Sequence, residues 1–398
     1  MWQKIYLYFF IIAVLVFSGC ETTTTQVYQQ RFQQPAASSD PVAAGMEMVQ
    51  RSPLKDKVLW QYRTALTAMR YGRFTEAKQL LDDALLTLNA MMSPDKNARK
   101  ARGIFGKEEQ KVFIGEPYER AMAYYYRGIL YWMDGEPDNA RACFRSAQLM
   151  DSDTQNKTYA NDWVLFDYLD GLATVKLGGD GSDALKRARQ SAKNFTPPDY
   201  DPQANVLFFV EFGPGPTKYA TGQYGEQLRF RTYQSPVKSA AIKIADATIR
   251  IYPYDDLNFQ ATTRGGRVMD YILANKAVFK ETTDNVGNVA IIGGAVLASR
   301  RETQEAGLAT LGVGILSKVI SAATTPAADT RDWNNLPQYL GFAAARMQPG
   351  RYTINVEFYN QFSTLDGRFN KTISFTVYPP PRDTVVFISD QSITPMNL

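Results

Sequence analysis

The chain has 398 residues, 45% hydrophobic and 13% aromatic, enough apolar material for large cores and enough length for two or three domains. Its 44 Lys and Arg stand against 40 Asp and Glu and are spread along the whole chain, so no basic patch points to nucleic acid as a partner. With no histidine and only two cysteines, Cys20 and Cys143, the sequence excludes Ser-His-Asp and Cys-His nucleophiles, cysteine/histidine zinc sites and a disulfide framework; neither metal nor cofactor is expected.

The N-terminus opens with Lys4 and then an unbroken apolar run over residues 5–17, I-Y-L-Y-F-F-I-I-A-V-L-V-F. It is shorter than the roughly 20 residues a spanning helix needs and has the length of a signal-peptide core. Ser18 and Gly19 then precede Cys20. This arrangement resembles the bacterial lipoprotein signal, in which cleavage leaves a lipid-bearing cysteine as the first mature residue. Residues 1–19 are then the signal peptide, and a multiply acylated Cys20 anchors the chain to a membrane without any transmembrane helix. Phe17 stands where leucine or valine is usual, and the alternative is an uncleaved, buried apolar helix. Glu21 is not the aspartate that retains such chains at the inner membrane, so the expected location is the outer membrane, facing the periplasm. Residues 20–51, with T-T-T-T-Q-V-Y-Q-Q from Thr22, read as a flexible tether.

Residues 52–195 carry an internal repeat. Placing Y-R-T-A-L-T-A-M-R-Y-G-R-F from Tyr62 over Y-Y-R-G-I-L-Y-W-M-D-G-E-P from Tyr125 brings Ala65 onto Gly128 and Gly72 onto Gly135. The same register sets Ala77 on Ala140, Leu81 on Phe144 and Ala84 on Ala147. A third copy around Gly171 needs one extra residue in G-G-D-G to bring Ala184 and Ala188 into line. The pattern resembles the tetratricopeptide repeat, with small residues where paired helices cross and a glycine at the turn; a generic antiparallel bundle is the alternative.

That register assigns an inner groove. One row is Tyr62, Tyr125 and Tyr168; the second is Leu66, Ile129 and Leu172; the third is Met69, Trp132 and Val175. An apolar, aromatic groove of this size requires a cover. The occupants to be distinguished are a protein partner, the chain's own segments at 53–59 or 101–116, and its C-terminal half. Cys143, beside Phe144, reads as a small core residue.

The prolines at 197, 198 and 202 end the helical pattern, and residues 196–398 read as strands. Residues 351–359 alternate Tyr352, Ile354, Val356 and Phe358 with Arg351, Thr353, Asn355 and Glu357. Further strands are predicted at 205–212, 227–233, 241–252, 339–346, 371–378 and 384–389, enough for a β-sandwich-like domain. Into this pattern an insertion at about 264–323 brings an amphipathic helix and an apolar helical hairpin at 286–323, suited to burial or to membrane or oligomer contact. The fold class expected is thus α+β: an N-terminal tetratricopeptide-like solenoid, then a β-sandwich-like domain with an inserted helical hairpin.

Cys20, the degenerate repeats, V-E-F-G-P-G-P-T-K at 210–218, and A-D-T-R-D-W-N-N-L-P at 328–337 shortly before P-G-R-Y-T-I-N-V-E-F at 349–358 together resemble a family of bacterial tetratricopeptide-repeat lipoproteins without an assigned activity. The resemblance implies a location and an architecture, and no functional residues. On the residues themselves, Trp333 reads as a large anchor, and Asp329, Arg331 and Asp332 as an Arg–Asp brace in preference to a catalytic cluster. The function expected is a noncatalytic interaction scaffold of the cell envelope, held to the membrane through Cys20 and binding a protein partner. The alternatives are a regulator of peptidoglycan synthesis, by fold-level analogy only, and a carbohydrate enzyme using two carboxylates.

Overall fold

Helices fill the first half of the described chain and strands the second, an α+β arrangement. The computed structural model describes residues 40–92, 112–151, 162–193, 195–223, 225–263 and 328–398. Cys20 and the hairpin expected at 286–323 lie outside those residues.

Helix α1 (Pro41–Arg51) begins inside the stretch expected to be tether. The reason is local. Asp40 accepts hydrogen bonds from the N–H groups of Val42 and Ala43 at 2.9 and 3.2 Å, Pro41 occupies the first helical position, and Ala, Met, Glu and Gln then favour the helix. Three antiparallel pairs follow: α2 (Lys57–Arg70) with α3 (Phe74–Met92), α4 (Pro117–Met133) with α5 (Pro137–Asp151), and α6 (Val164–Lys176) with α7 (Ser182–Ser191). Gly72, Gly135 and Gly178 take φ of +71°, +83° and +80° at the three turns, conformations that favour glycine. Gly128 lets α4 and α5 cross closely, since a Cβ there would lie 2.7 Å from the Phe144 ring. Helix α5 packs on α6 and α3 on α4, so the pairs stack in chain order.

The strands form two sheets. The first has four strands in the order β10 (Thr384–Ser389), β1 (Val206–Pro214), β7 (Pro337–Ala345), β6 (Pro253–Asp256), with β1 parallel to β10 and antiparallel to β7. The second has five, β11 (Met396–Asn397), β9 (Lys371–Val377), β8 (Gly350–Tyr359), β4 (Ser239–Ile244) and β5 (Ala247–Ile251). A separate hairpin pairs β2 (Thr217–Thr221) with β3 (Gln227–Arg231), and a short helix, α8 (Leu257–Thr263), follows β6. The strand expected over 241–252 is a hairpin. The chain turns at Ala245 and Asp246, where Ala245 holds φ of +47°, and β5 returns along β4.

One hydrophobic cluster joins the two sheets: Val206, Phe208 and Val210 of β1 meet Ile354, Val356 and Phe358 of β8 and Ile373 and Phe375 of β9. The intervening β1 residues Leu207, Phe209 and Glu211 are buried as well, against the helices. Strand β1 is therefore covered on both faces, which is why its sequence runs apolar without alternation. Residues Gly45–Leu398 gather into one compact unit, with the helical and β portions together in it. Among the described residues no helix is long and apolar enough to cross a membrane.

Candidate functional site: the inner helical groove

The structure buries eight of the nine groove residues read from the repeat, Tyr62, Leu66, Met69, Tyr125, Ile129, Trp132, Tyr168 and Leu172, and leaves the ninth, Val175, half-buried. Their neighbours come from the same chain. The Tyr62 ring stacks on Trp333 with centroids 4.5 Å apart, and Phe113 meets its edge at 6.4 Å. Tyr125 and Trp132 both face Phe209 of β1, at 6.3 and 6.4 Å. Tyr168 sits against Phe342 of β7 at 5.8 Å and against Tyr254 of β6 at 5.4 Å. The groove is occupied along its length by the four-stranded sheet and the Trp333 loop. Buried aromatic pairs of this kind add to the area they remove from water, so this seam is a principal part of the core.

Charged groups punctuate the seam. Arg70, at the end of α2, donates from Nε to Glu211 Oε1 at 2.8 Å, and its Nη2 pairs ionically with the same oxygen at 2.6 Å. The Tyr126 hydroxyl donates to the other Glu211 oxygen at 2.6 Å, and Arg70 Nη1 reaches Gln391 Oε1 at 2.8 Å. Arg70 is 4% exposed and Glu211 1%. A second pair, Lys218 with Glu119, is equally buried. Glu119 also accepts the backbone N–H of Trp333 at 2.8 Å and that of Glu116 at 2.6 Å, closing a capping box at the start of α4. Burial alone would push the Lys218 ammonium down, but Glu119, Glu116, Asp332 and Asp329 outweigh it and hold it above its ordinary value.

The A-D-T-R-D-W stretch is divided among separate contacts. Arg331 grips Asp329 with Nη2 at 2.6 Å and Asp56 with Nη1 at 2.8 Å, bracing the loop to the start of α2. Asp332 turns the other way. Its backbone carbonyl accepts from Arg63 Nε at 3.0 Å, and burial raises its carboxyl against the opposing pull of Lys218 and Arg63. At the far end, Asp383 accepts from Trp132 Nε1 at 3.0 Å and from Lys176 Nζ at 2.8 Å.

Asp255 of β6 caps a helix in the other half of the molecule. It accepts the backbone N–H groups of Val164 and Leu165 at 2.9 and 2.8 Å, satisfying the first turn of α6. Burial nevertheless pushes its carboxyl up to about 7, the two N–H groups pulling down while Asp162 and Asp167 push up. Between about pH 4, where an unfolded aspartate titrates, and pH 7, the folded chain holds a proton that the unfolded chain has released. Stability contributed by this group is complete below that window and is lost as pH rises through it. In urea denaturation from pH 5 to pH 8, Asp255→Asn flattens the fall of the midpoint; an unchanged pH profile would show that Asp255 carries no raised pKa.

The charged groups of the seam are paired with one another, while Tyr62 Oη, Trp333 Nε1 and Asp332 Oδ1 are buried without a hydrogen-bond partner among the described residues. Glu119 and Asp332 are buried and engaged by neighbouring cations, so no sugar reaches them as an acid pair. Cys143 is buried beside Phe144 and burial pushes its thiol up to about 12, leaving it unreactive at neutral pH. Among the described residues no group of three or more Cys, Asp or Glu is placed to hold a metal ion. Glu211, Glu119, Lys218 and Asp255 were not singled out from the sequence. The one signal present was a lone charge inside an apolar strand, as in F-F-V-E-F around Glu211. No protein-family model, curated protein or solved structure matches the chain.

Proposed function

We propose that this chain is a lipid-anchored protein of the bacterial cell envelope, held at the outer membrane through Cys20 and facing the periplasm, that acts without catalysis as a body to which a protein partner binds. The observation that carries the reading is the sequence of residues 5–20, an apolar run of signal length ending at Ser18-Gly19-Cys20. Its finer architecture, in this reading, is three degenerate tetratricopeptide-like units clasping a β-sandwich-like domain, as in the lipoprotein family that the motifs resemble. The filled groove supports a revised role for the repeats. They hold the chain's own β half, and the partner meets an outer surface.

Two features favour a binding body over an enzyme. The strong aromatic and ionic contacts are spent within the chain, between Tyr62 and Trp333 and between Arg70 and Glu211. Of the acids whose carboxyls burial raises, Asp167, Asp255, Asp332 and Asp390 are shut away from solvent, and the half-buried Asp256 accepts from the Asn258 N–H and the Gln338 amide. The anchor is tested by expressing the full chain with Cys20→Ser and floating membranes on a density gradient. The native chain is expected at the membrane and Cys20→Ser in the soluble fraction; a Cys20→Ser chain that still floats would refute the lipid anchor.

A further inference from the structure

One end of the five-stranded sheet gathers exposed apolar and aromatic side chains. Strands β8 and β9 are joined there by a turn whose tip, Phe362, is 78% exposed, with Leu365 46% exposed beside it. The strand register brings further aromatics to the same end: Tyr359, the last residue of β8, pairs with Ser239 of β4, and Ala240 next to it pairs with Ile251, immediately before the half-exposed Tyr252. The turn is a built one. Asn360 Oδ1 accepts the N–H groups of Phe362 and Thr364 at 2.9 and 3.0 Å, and Asn360 N–H donates to the Thr364 carbonyl at 3.0 Å. Ser363 holds φ of +58°, a conformation a non-glycine residue adopts at a cost that the hydrogen bonds around it must offset. The phenylalanine is thus presented outward on a fixed turn.

Exposed Arg368 and Arg250 flank this end, and its two acids are engaged: Asp366 with Arg368 at 2.6 Å, and Glu357 with Lys243 at 3.6 Å. A convex apolar tip, with hydroxyl-bearing rings behind it and arginines at its sides, fits a surface where hydrocarbon meets anionic headgroups. A protein-binding hot spot would instead sit near the centre of a larger patch, ringed by contacts that exclude water. We infer that the Phe362 turn is a second membrane contact, inserting Phe362 and Leu365 into the bilayer to which Cys20 is anchored and so fixing how the body stands on it. The inference rests on the lipid-anchor reading.

Magnitudes support that dependence. Burying one phenylalanine and one leucine corresponds to a dissociation constant of about a millimolar, too weak to recruit a free protein. A tether to the same bilayer supplies an effective concentration of about that order. The turn therefore orients a chain that the lipid already holds.

The test uses the full lipidated chain in vesicles of phosphatidylethanolamine and phosphatidylglycerol, spin-labelled at Gln361→Cys or, at the opposite end of the same sheet, Asp246→Cys. Cys20 bears the lipid, and Cys143 is buried. The ratio of collisions with oxygen to collisions with an aqueous nickel chelate is expected to be several-fold higher at 361 than at 246, and to fall to the 246 value when Phe362→Ser is added. Equal ratios in native-length chain that floats with the vesicles would overturn the inference and leave the anchor standing. A label at 361 shielded from both reagents would also overturn it, by showing protein on the turn. Failure of the chain to float, or flotation of Cys20→Ser, strikes the anchor instead.

Discussion

Trp333→Ala is expected to lower the unfolding free energy by about 3–5 kcal/mol, the range for deleting a fully buried large aromatic. Trp333 is 0% exposed, stacks on Tyr62 at 4.5 Å and lies 5.9 Å from the Tyr126 ring. Its backbone N–H also fixes the Glu119 carboxylate that pairs with Lys218. The loss of the ring is therefore felt in α2 through Tyr62 and in α4 through Tyr126, while alanine keeps the backbone N–H to Glu119. Urea denaturation followed by far-ultraviolet circular dichroism and by intrinsic fluorescence measures it. A change under about 1 kcal/mol, the size typical of a surface substitution, would mean that the ring is not the keystone described here.

Arg70→Met is the second large effect, about 3–5 kcal/mol destabilising, because it strands the Glu211 carboxylate in a dry seam. The ion pair itself contributes much less than this figure suggests, since taking both charges from water offsets most of their attraction. The double variant Arg70→Met with Glu211→Leu separates the two. It is expected to recover much of the loss, short of full recovery because the Tyr126 hydroxyl and Gln391 lose their partners. A double variant whose loss equals the sum of the two single-variant losses would show that the residues act independently. The comparison is a double-mutant cycle on equilibrium unfolding.

Much of the helical half is legible from local rules. Gly72 and Gly135 mark turns because left-handed backbone needs glycine, and Gly128 marks a crossing because nothing larger fits against Phe144. The same register places Tyr62, Tyr125 and Tyr168 on one inward row. What fills the groove could not be read, because Phe209, Trp333 and Phe342 lie far away in sequence and no local pattern ties them to those tyrosines. The hairpin at Ala245 is masked in sequence because A-T-I-R-I continues the apolar run of S-A-A-I-K-I, and the left-handed position falls on an alanine in place of the glycine or asparagine that would mark it. The helix over Pro41–Arg51 was hidden by the Gln- and Thr-rich stretch before it, although Asp40-Pro41 is a helix start. Glu211 stood in plain view inside V-L-F-F-V-E-F, but its partner Arg70 is identifiable only once β1 lies against the end of α2.

Native-state hydrogen exchange on the full chain tests most directly whether the helical groove is closed by the chain's own β half. If it is, the amides of α2 and α4 and those of β1 become exposed in one cooperative opening, with closely similar free energies that fall together in Trp333→Ala. Slow exchange in the helices beside fast exchange in β1 would contradict it, since the groove would then stand intact without its present occupant and be open to another.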